Sequence, residues 1–251
     1  MTTKRQIDLN CDLGEGYPHD AELMKYISSA NIACGGHFGD ADSMKRTIEL
    51  ALENNVAIGA HPSYPDRENF GRKSIKIEPR ALMASMIEQI EALRTIARSC
   101  GTEITHIKPH GALYNDSAKD RDLAALIAET VAEYDRSLVI FGLADSFSII
   151  EAESVGINAC GEAFADRTYQ ADGSLTPRTE PDAFVMDSRV ALSNIVHLID
   201  TKTLIATTGK HLDIHAETVC IHGDGPKAVE FASTLYMELT KNGVKIKPKY
   251  G

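Results

Sequence analysis

Six short apolar runs in this chain each give way to residues that can move protons, hold charge or ligate metal. "IDLNC" contains Asn10 and leads to Asp12 and Glu15, "NIAC" leads to His37 and Asp40, and "VAIGA" leads to His61 and Asp66. "ITHIK" ends on Lys108 and is followed by His110 and Asn115. "INACGEAF" carries Glu162 and leads to Asp166 and Arg167, and "TVCIHG" carries His222 and leads to Asp224. A lone histidine in such a place is ordinarily structural. Six apolar segments with imidazoles, carboxylates and an amine at one end are not what packing requires, because buried polar groups cost free energy unless paired. Together they point to a shared cleft.

Two chemistries suit these residues. Asp12, His37 and His61 could hold zinc, manganese or magnesium, or serve as a general base with its orienting partners. HExxH is absent, so metal ligands would come from three separate strands. In "HIKPHGALYN" (106–115) Lys108 and His110 are two apart and share one face of an extended strand. Lys108 there could stabilise a developing oxyanion and His110 could donate or accept a proton. The plainer alternative for Lys108 is a buried amine paired with Asp or Glu. "GEAFADRTYQADGSLTPR" (161–178) reads as a loop closing over the cleft, with Arg167 and Arg178 suited to grip a carboxylate bidentately.

Other signals weigh less. "CGGHFGD" fits neither GxGxxG nor a Walker A loop, and no GxxxxGK[ST] occurs in the chain. "HGDGP" (222–226) puts GxG before a helix whose N-terminus could hold a phosphate or carboxylate. Cys34, with His37 three residues on, admits a nucleophile reading, but cysteine inside an apolar run more often packs and is made inert by burial.

The elements that must position these residues alternate along the chain. The apolar runs, with "LVIFGLA" (138–144) as a seventh, are short and rich in Val and Ile, as strands buried on both faces are. Amphipathic segments lie between them. "DADSMKRTIELALENN" carries Met44, Ile48 and Leu52 at helical spacing, with Asp42 or Ser43 as the expected cap. "EPRALMASMIEQIEALRTIARSCG" opens near Pro79 and ends at Gly101; "PKAVEFASTLYMELTKNG" opens at Pro226 and ends at Gly243. "DRDLAALIAETVAEY" follows the same pattern. About seven strand–helix repeats imply a parallel sheet with right-handed crossovers, either doubly wound or closed. No linker divides the chain, so a single barrel-like domain over residues 1–251 is expected.

Bulk properties agree. A net charge of −10 disfavours nucleic acid and anionic lipid surfaces as partners. Five scattered cysteines without a CxxC pair disfavour a disulfide framework. "MTTKRQIDLN" has no apolar h-region and no apolar run approaches 18 residues, so no signal peptide and no membrane helix is expected, and the expected compartment is the cytoplasm.

"IDLNCDLGE", "SANIACGGHFGD", "VAIGAHPSYPDRENFGR", "IKPHGALYN", "FADRTYQADGSLTPR" and "CIHGDGP" together resemble the LamB/YcsF family, from about residue 7 to 230. The resemblance implies a seven-stranded (β/α) barrel of the glycoside hydrolase/deacetylase kind. It implies ATP-dependent opening of 5-oxo-L-proline to L-glutamate, with ADP and phosphate released and magnesium accompanying the nucleotide. It also implies work in a complex with 5-oxoprolinase subunits B and C. By motif it assigns Asp12, His61, Lys108 and His110 to catalysis, Asp12 being the first choice of base and His61 the second. It assigns His37, Glu162, Asp166, Arg167 and Asp224 to the substrate, Arg167 to its carboxylate, and the strand-end positions of Asn10 and His222 add those two to the substrate set. Two other readings stay open: a stand-alone metal-dependent deacetylase or amidohydrolase, and a non-catalytic lactam- or sugar-binding regulatory subunit.

Overall fold

The structure, a computed structural model, describes residues 5–225 and 227–250. Six parallel strands come first: β1 (Gln6–Leu13), β2 (Ser29–Ala33), β3 (Ala57–His61), β4 (His106–Ile107), β5 (Val139–Leu143) and β6 (Ala159–Phe164). A small antiparallel hairpin follows, β7 (Thr203–Ile205) and β8 (His211–Asp213). Then β9 (Thr218–Cys220) pairs with β6 on one side and β1 on the other, closing a seven-stranded parallel barrel. A last short strand, β10 (Lys245–Ile246), lies parallel beside the start of β1. The connections carry helices α1 (Asp20–Leu23), α2 (Ala41–Asn54), α3 (Pro79–Ser99), α4 (Gly111–Lys119), α5 (Arg121–Tyr134), α6 (Phe147–Ser154), α7 (Ser188–Thr201) and α8 (Ala228–Lys241). This is the expected (β/α) barrel.

The period of two along each strand separates two environments. Leu9, Cys11 and Leu13 of β1 join Ile32, Ile58, Ile107 and Ile140 in the apolar layer beneath helix residues such as Ile48, Ile90 and Leu93. The alternate residues of β1 are Asp8, Asn10 and Asp12, and they meet polar partners from the other strands inside the barrel. At its base Asp8 accepts hydrogen bonds from Ser28 (2.5 Å), Ser29 (2.8 Å) and Thr218 (2.6 Å). Burial nevertheless pushes its pKa up to about 6, against those three hydroxyls. A separate apolar plug of Val139, Phe141 and Cys160 fills another part of the core. The barrel is therefore filled largely by hydrogen-bonded polar side chains rather than by layers of aliphatic ones.

Several local expectations change. Helix α2 is capped by Asp40, neither Asp42 nor Ser43: the Asp40 carboxylate accepts from Ser43 N at 2.8 Å and Ser43 Oγ accepts from Asp40 N at 2.8 Å, a reciprocal capping box. Asp40 is thus spent on the helix and not on the cleft. Strand β4 is only two residues long, and His110 is the residue preceding α4. The backbone stays extended between them, with Lys108 N donating to Ala60 O (2.9 Å) and His110 N to Pro62 O (2.8 Å). Pro109 falls at the alternate position, so its missing N–H leaves that ladder intact. Helices α4, α6 and α7 and the hairpin are not apparent from periodicity. Pro226, and the outermost ends of the expected 1–251 domain, lie outside the described residues. All five cysteines are free. No helix among the described residues is long and apolar enough to cross a membrane.

Candidate active site

A cavity of about 270 Å³ opens at the C-terminal ends of the strands. On its floor Lys108 Nζ lies 2.9 Å from Asp12 Oδ1, 2.8 Å from Glu162 Oε1 and 3.2 Å from Asn10 Oδ1. Burial works to discharge the amine, but Asp12 above all holds its pKa well above the ordinary value, so it is an ammonium. Burial likewise works to protonate Asp12, and His61 and Lys108 overcome it, holding the carboxyl well below its usual range.

A second layer fixes this group. Asn10 Nδ2 donates to Glu162 Oε1 (2.7 Å) and Thr218 Oγ1 (2.8 Å). Asn31 Nδ2 reaches Asp12 Oδ1 and Asn10 Oδ1, each at 2.8 Å, and His106 Nε2 lies 2.9 Å from Asn31 Oδ1. His106 stacks on Phe141, and burial, then Lys108, pushes its pKa down to about 3, so it is neutral. Two buried atoms here have no hydrogen-bond partner, Glu162 Oε2 and the Tyr114 hydroxyl. Tyr114 lines the cavity.

Beside the ion pair stands a cluster of imidazoles around one carboxylate. Glu15 Oε1 lies 2.9 Å from His37 Nε2, 3.2 Å from His110 Nδ1 and 3.8 Å from His61 Nε2. His61 Nε2 and His110 Nδ1 face each other at 2.9 Å, and the rings of His37 and His110 stack in parallel with centroids 3.6 Å apart. Burial pushes the His37 pKa down to about 4 and lowers that of His110. For His61 burial works the same way, but Asp12 outweighs it and raises the value. Burial opposes ionisation of Glu15, yet hydrogen bonds from His110 and His37 hold its pKa below the usual range.

The opposite wall is cationic. His222 Nδ1 bonds Asp166 Oδ2 at 2.7 Å, and Arg178 reaches His222 Nε2 at 2.8 Å. Burial works to protonate Asp166, but His222 lowers its pKa overall. Asp224 pairs with Arg72 at 3.3 Å and with Arg178 at 3.8 Å. Arg167 is buried and donates to the carbonyls of Ala183 and Thr176, tying down the 161–178 loop as well as facing the cavity. Burial, followed by the nearby Arg178, depresses its pKa.

The expected residues therefore sort by position. Asp12, His61, Lys108, His110, Arg167, His222 and Asp224 line the cavity. Asn10, His37 and Glu162 are sealed behind its wall, and Asp166 holds His222 from behind. Asp66 bonds Asn69 within its own loop. The expected metal set of Asp12, His37 and His61 does not converge as such. Asp12 turns one oxygen to Lys108 and Asn31, and the ligand-capable atoms that do converge belong to Glu15, His37, His61 and His110. In the sequence Glu15 is visible as a strand-end carboxylate without a role, and nothing there singles out Asn31, Arg72 or Tyr114. A signal for His106 does exist: its place two residues before Lys108, on the same strand face.

Comparison with known proteins bears on the family and the fold. The model of the LamB/YcsF family matches residues 7–250. The A subunit of 5-oxoprolinase from Oceanobacillus iheyensis is 46% identical over 249 residues, covering 97% of each chain. The crystal structure of a lactam utilization protein from Thermus thermophilus superposes with a TM-score of 0.91 at 34% identity, covering 96% of this chain and 99% of that one. A family 4 carbohydrate esterase from Streptomyces lividans has a TM-score of 0.50 at 10% identity, covering 96% and 91% of the two chains, and shares the fold alone.

Proposed function

This chain belongs to the LamB/YcsF family, and we propose that it is the A subunit of an ATP-dependent 5-oxoprolinase. It would act on 5-oxo-L-proline, consuming ATP with magnesium and working with the B and C subunits. The observation that carries this reading is full-length identity of 46% to the A subunit of the Oceanobacillus enzyme, joined to a cavity whose charges suit the reaction.

A lactam carbon is a poor electrophile. Transfer of the terminal phosphoryl group of ATP to the lactam oxygen, releasing ADP, makes that carbon attackable. Water then adds, the C–N bond breaks as the nitrogen takes a proton, and the acyl phosphate left behind is hydrolysed by a second water to glutamate and phosphate. In this chain the Asp12–His61 pair, 3.3 Å apart at the cavity, would take the proton of the attacking water. Lys108 and His110 line the same cavity and would stabilise charge developing on the departing oxygen. Arg167, with Arg178 on the same wall, is suited to the substrate carboxylate. His222 and Asp224 would orient those arginines. Asn10, His37, Glu162 and Asp166 would act by holding the others in place.

The sequence holds no Walker A loop, so the nucleotide is expected to be bound jointly with the partner subunits. The test is ATP-dependent glutamate release from 5-oxo-L-proline, with and without the B and C subunits. Release is expected only from the complete set with ATP. No release from the complete set would overturn the function, and release by this chain alone would overturn the shared site. Amide or acetyl hydrolysis by the isolated chain without ATP would favour the deacetylase reading instead.

A further inference from the structure

We propose that Glu15, His37, His61 and His110 form a binding site for one divalent transition-metal ion of the zinc class, separate from the magnesium that accompanies ATP. The inference goes beyond the 5-oxoprolinase reading and does not depend on it.

The first ground is distance. Zinc–ligand bonds of about 2.1 Å place the donor atoms of a tetrahedral site about 3.4 Å apart. The separations here bracket that figure: 2.9 Å for His37 Nε2 to Glu15 Oε1, 2.9 Å for His61 Nε2 to His110 Nδ1, 3.2 Å for His110 Nδ1 to Glu15, and 3.8 Å for His61 Nε2 to Glu15. All four donor atoms lie within 4.8 Å of one another, and His37 has to turn out of its parallel stack on His110 to aim Nε2 at the shared point.

The second ground is the direction of the lone pairs. His61 Nδ1 lies 2.7 Å from the Lys108 carbonyl and His110 Nε2 lies 3.0 Å from the Phe70 carbonyl. A carbonyl oxygen only accepts, so those two nitrogens carry the hydrogens. The remaining nitrogens, His61 Nε2 and His110 Nδ1, lie 2.9 Å apart and 3.8 and 3.2 Å from Glu15, and once the proton they share is displaced both lone pairs point into the same space. Backbone carbonyls that fix a ring in this way are the usual outer support of a metal-bound histidine. A proton can bridge two of these atoms, whereas a metal ion engages all four.

The third ground is access. Glu15, His61 and His110 line the cavity and His37 lies behind them. An ion held by this set is reachable from the cleft. Three imidazoles and one carboxylate favour zinc over magnesium, which prefers oxygen ligands.

The test uses the intact chain, stripped with chelator and titrated with Zn²⁺ alone. One equivalent is expected to bind, and zinc-edge X-ray absorption is expected to show imidazole scattering with no sulfur. The five free cysteines make the sulfur result decisive. No stoichiometric zinc, or a sulfur shell, would overturn the site, and this measurement needs no variant. Glu15→Gln and His110→Gln are each expected to weaken binding at least tenfold, while His215→Gln, exposed and paired with Asp145, leaves it unchanged. Equal binding in all three would also overturn it. Zinc binding without ATP-dependent glutamate release would support the metal site and overturn the 5-oxoprolinase reading. Full turnover with no zinc bound would do the reverse.

Discussion

Lys108 Nζ and Glu162 Oε1 stand 2.8 Å apart, and the two residues are only 2% and 0% exposed. Breaking a buried pair by removing one partner costs about 3–5 kcal/mol, because the other charge is left uncompensated. Lys108→Met leaves both Asp12 and Glu162 without their ammonium and is expected to fall in that range by urea unfolding. Glu162→Gln keeps the shape and leaves Asp12 paired to Lys108 at 2.9 Å, so it should cost less. The double variant should be more stable than Lys108→Met alone. Strict additivity in the cycle would show that the pair does not act as a unit.

Asp12 is the point where the ion pair meets the histidine cluster. Its Oδ1 engages Lys108 and Asn31, and its Oδ2 lies 3.3 Å from His61. Asp12→Asn preserves the size of the side chain and removes the base. In the complete enzyme it is expected to lower kcat by about 10²–10⁴-fold, the usual range for a lost general base, with KM little changed. Wild-type turnover in this variant would remove Asp12 from catalysis.

Stability should fall in acid for an identifiable reason. His106 has an ordinary pKa of 6.5 that burial brings to about 3 in the folded chain. Between those values the unfolded chain binds a proton that the folded one refuses, so stability declines as pH drops from about 6.5 toward 3. Asp8 works the other way: its pKa rises from 3.8 to about 6 on folding, so the folded chain takes that proton first. Thermal melts across this window should show a shallower loss for His106→Gln and a steeper one for Asp8→Asn. The His106 effect is on the order of a few kcal/mol over the window. Parallel melting curves for His106→Gln and the wild type would refute the assignment.

The barrel is legible in the sequence because each strand body is a short apolar run and the polar residues fall at one end. The cleft is legible for the same reason, and Asp12, His61, Lys108, His110, Arg167, His222 and Asp224 do meet there. The interior polar layer is harder to read. Asn31 and His106 sit within apolar runs, and their partners lie 19 and 75 residues away along the chain. Glu15 is easily overlooked because it follows β1 rather than belonging to it, and its three histidines come from the loop after β2, the end of β3 and the residue before α4. Helix α7 and the hairpin that follows it lie beyond the loop that closes over the cleft, in a stretch with no long apolar run.

The His110 segment offers a way to perturb the cluster without touching a ligand. Gly111 has φ +57°, and a Cβ there would lie 2.5 Å from the Gly71 carbonyl oxygen. That carbonyl accepts the bond from Ala112 N at 2.9 Å, and the preceding Phe70 carbonyl fixes the His110 ring. Gly111→Ala must therefore push the 70–71 backbone away, in addition to the strain of a left-handed residue. Gly101 has a similar φ of +79° but open space around its Cβ direction, so Gly101→Ala isolates the strain alone. Overpacking typically costs about 1–3 kcal/mol, and Gly111→Ala should be destabilised by that much more than Gly101→Ala. It should also lose turnover in the complete enzyme, because the Phe70 carbonyl can no longer hold His110 in one orientation, while Gly101→Ala keeps it. Equal stability and equal turnover in the two variants would mean that the 70–71 backbone does not position His110.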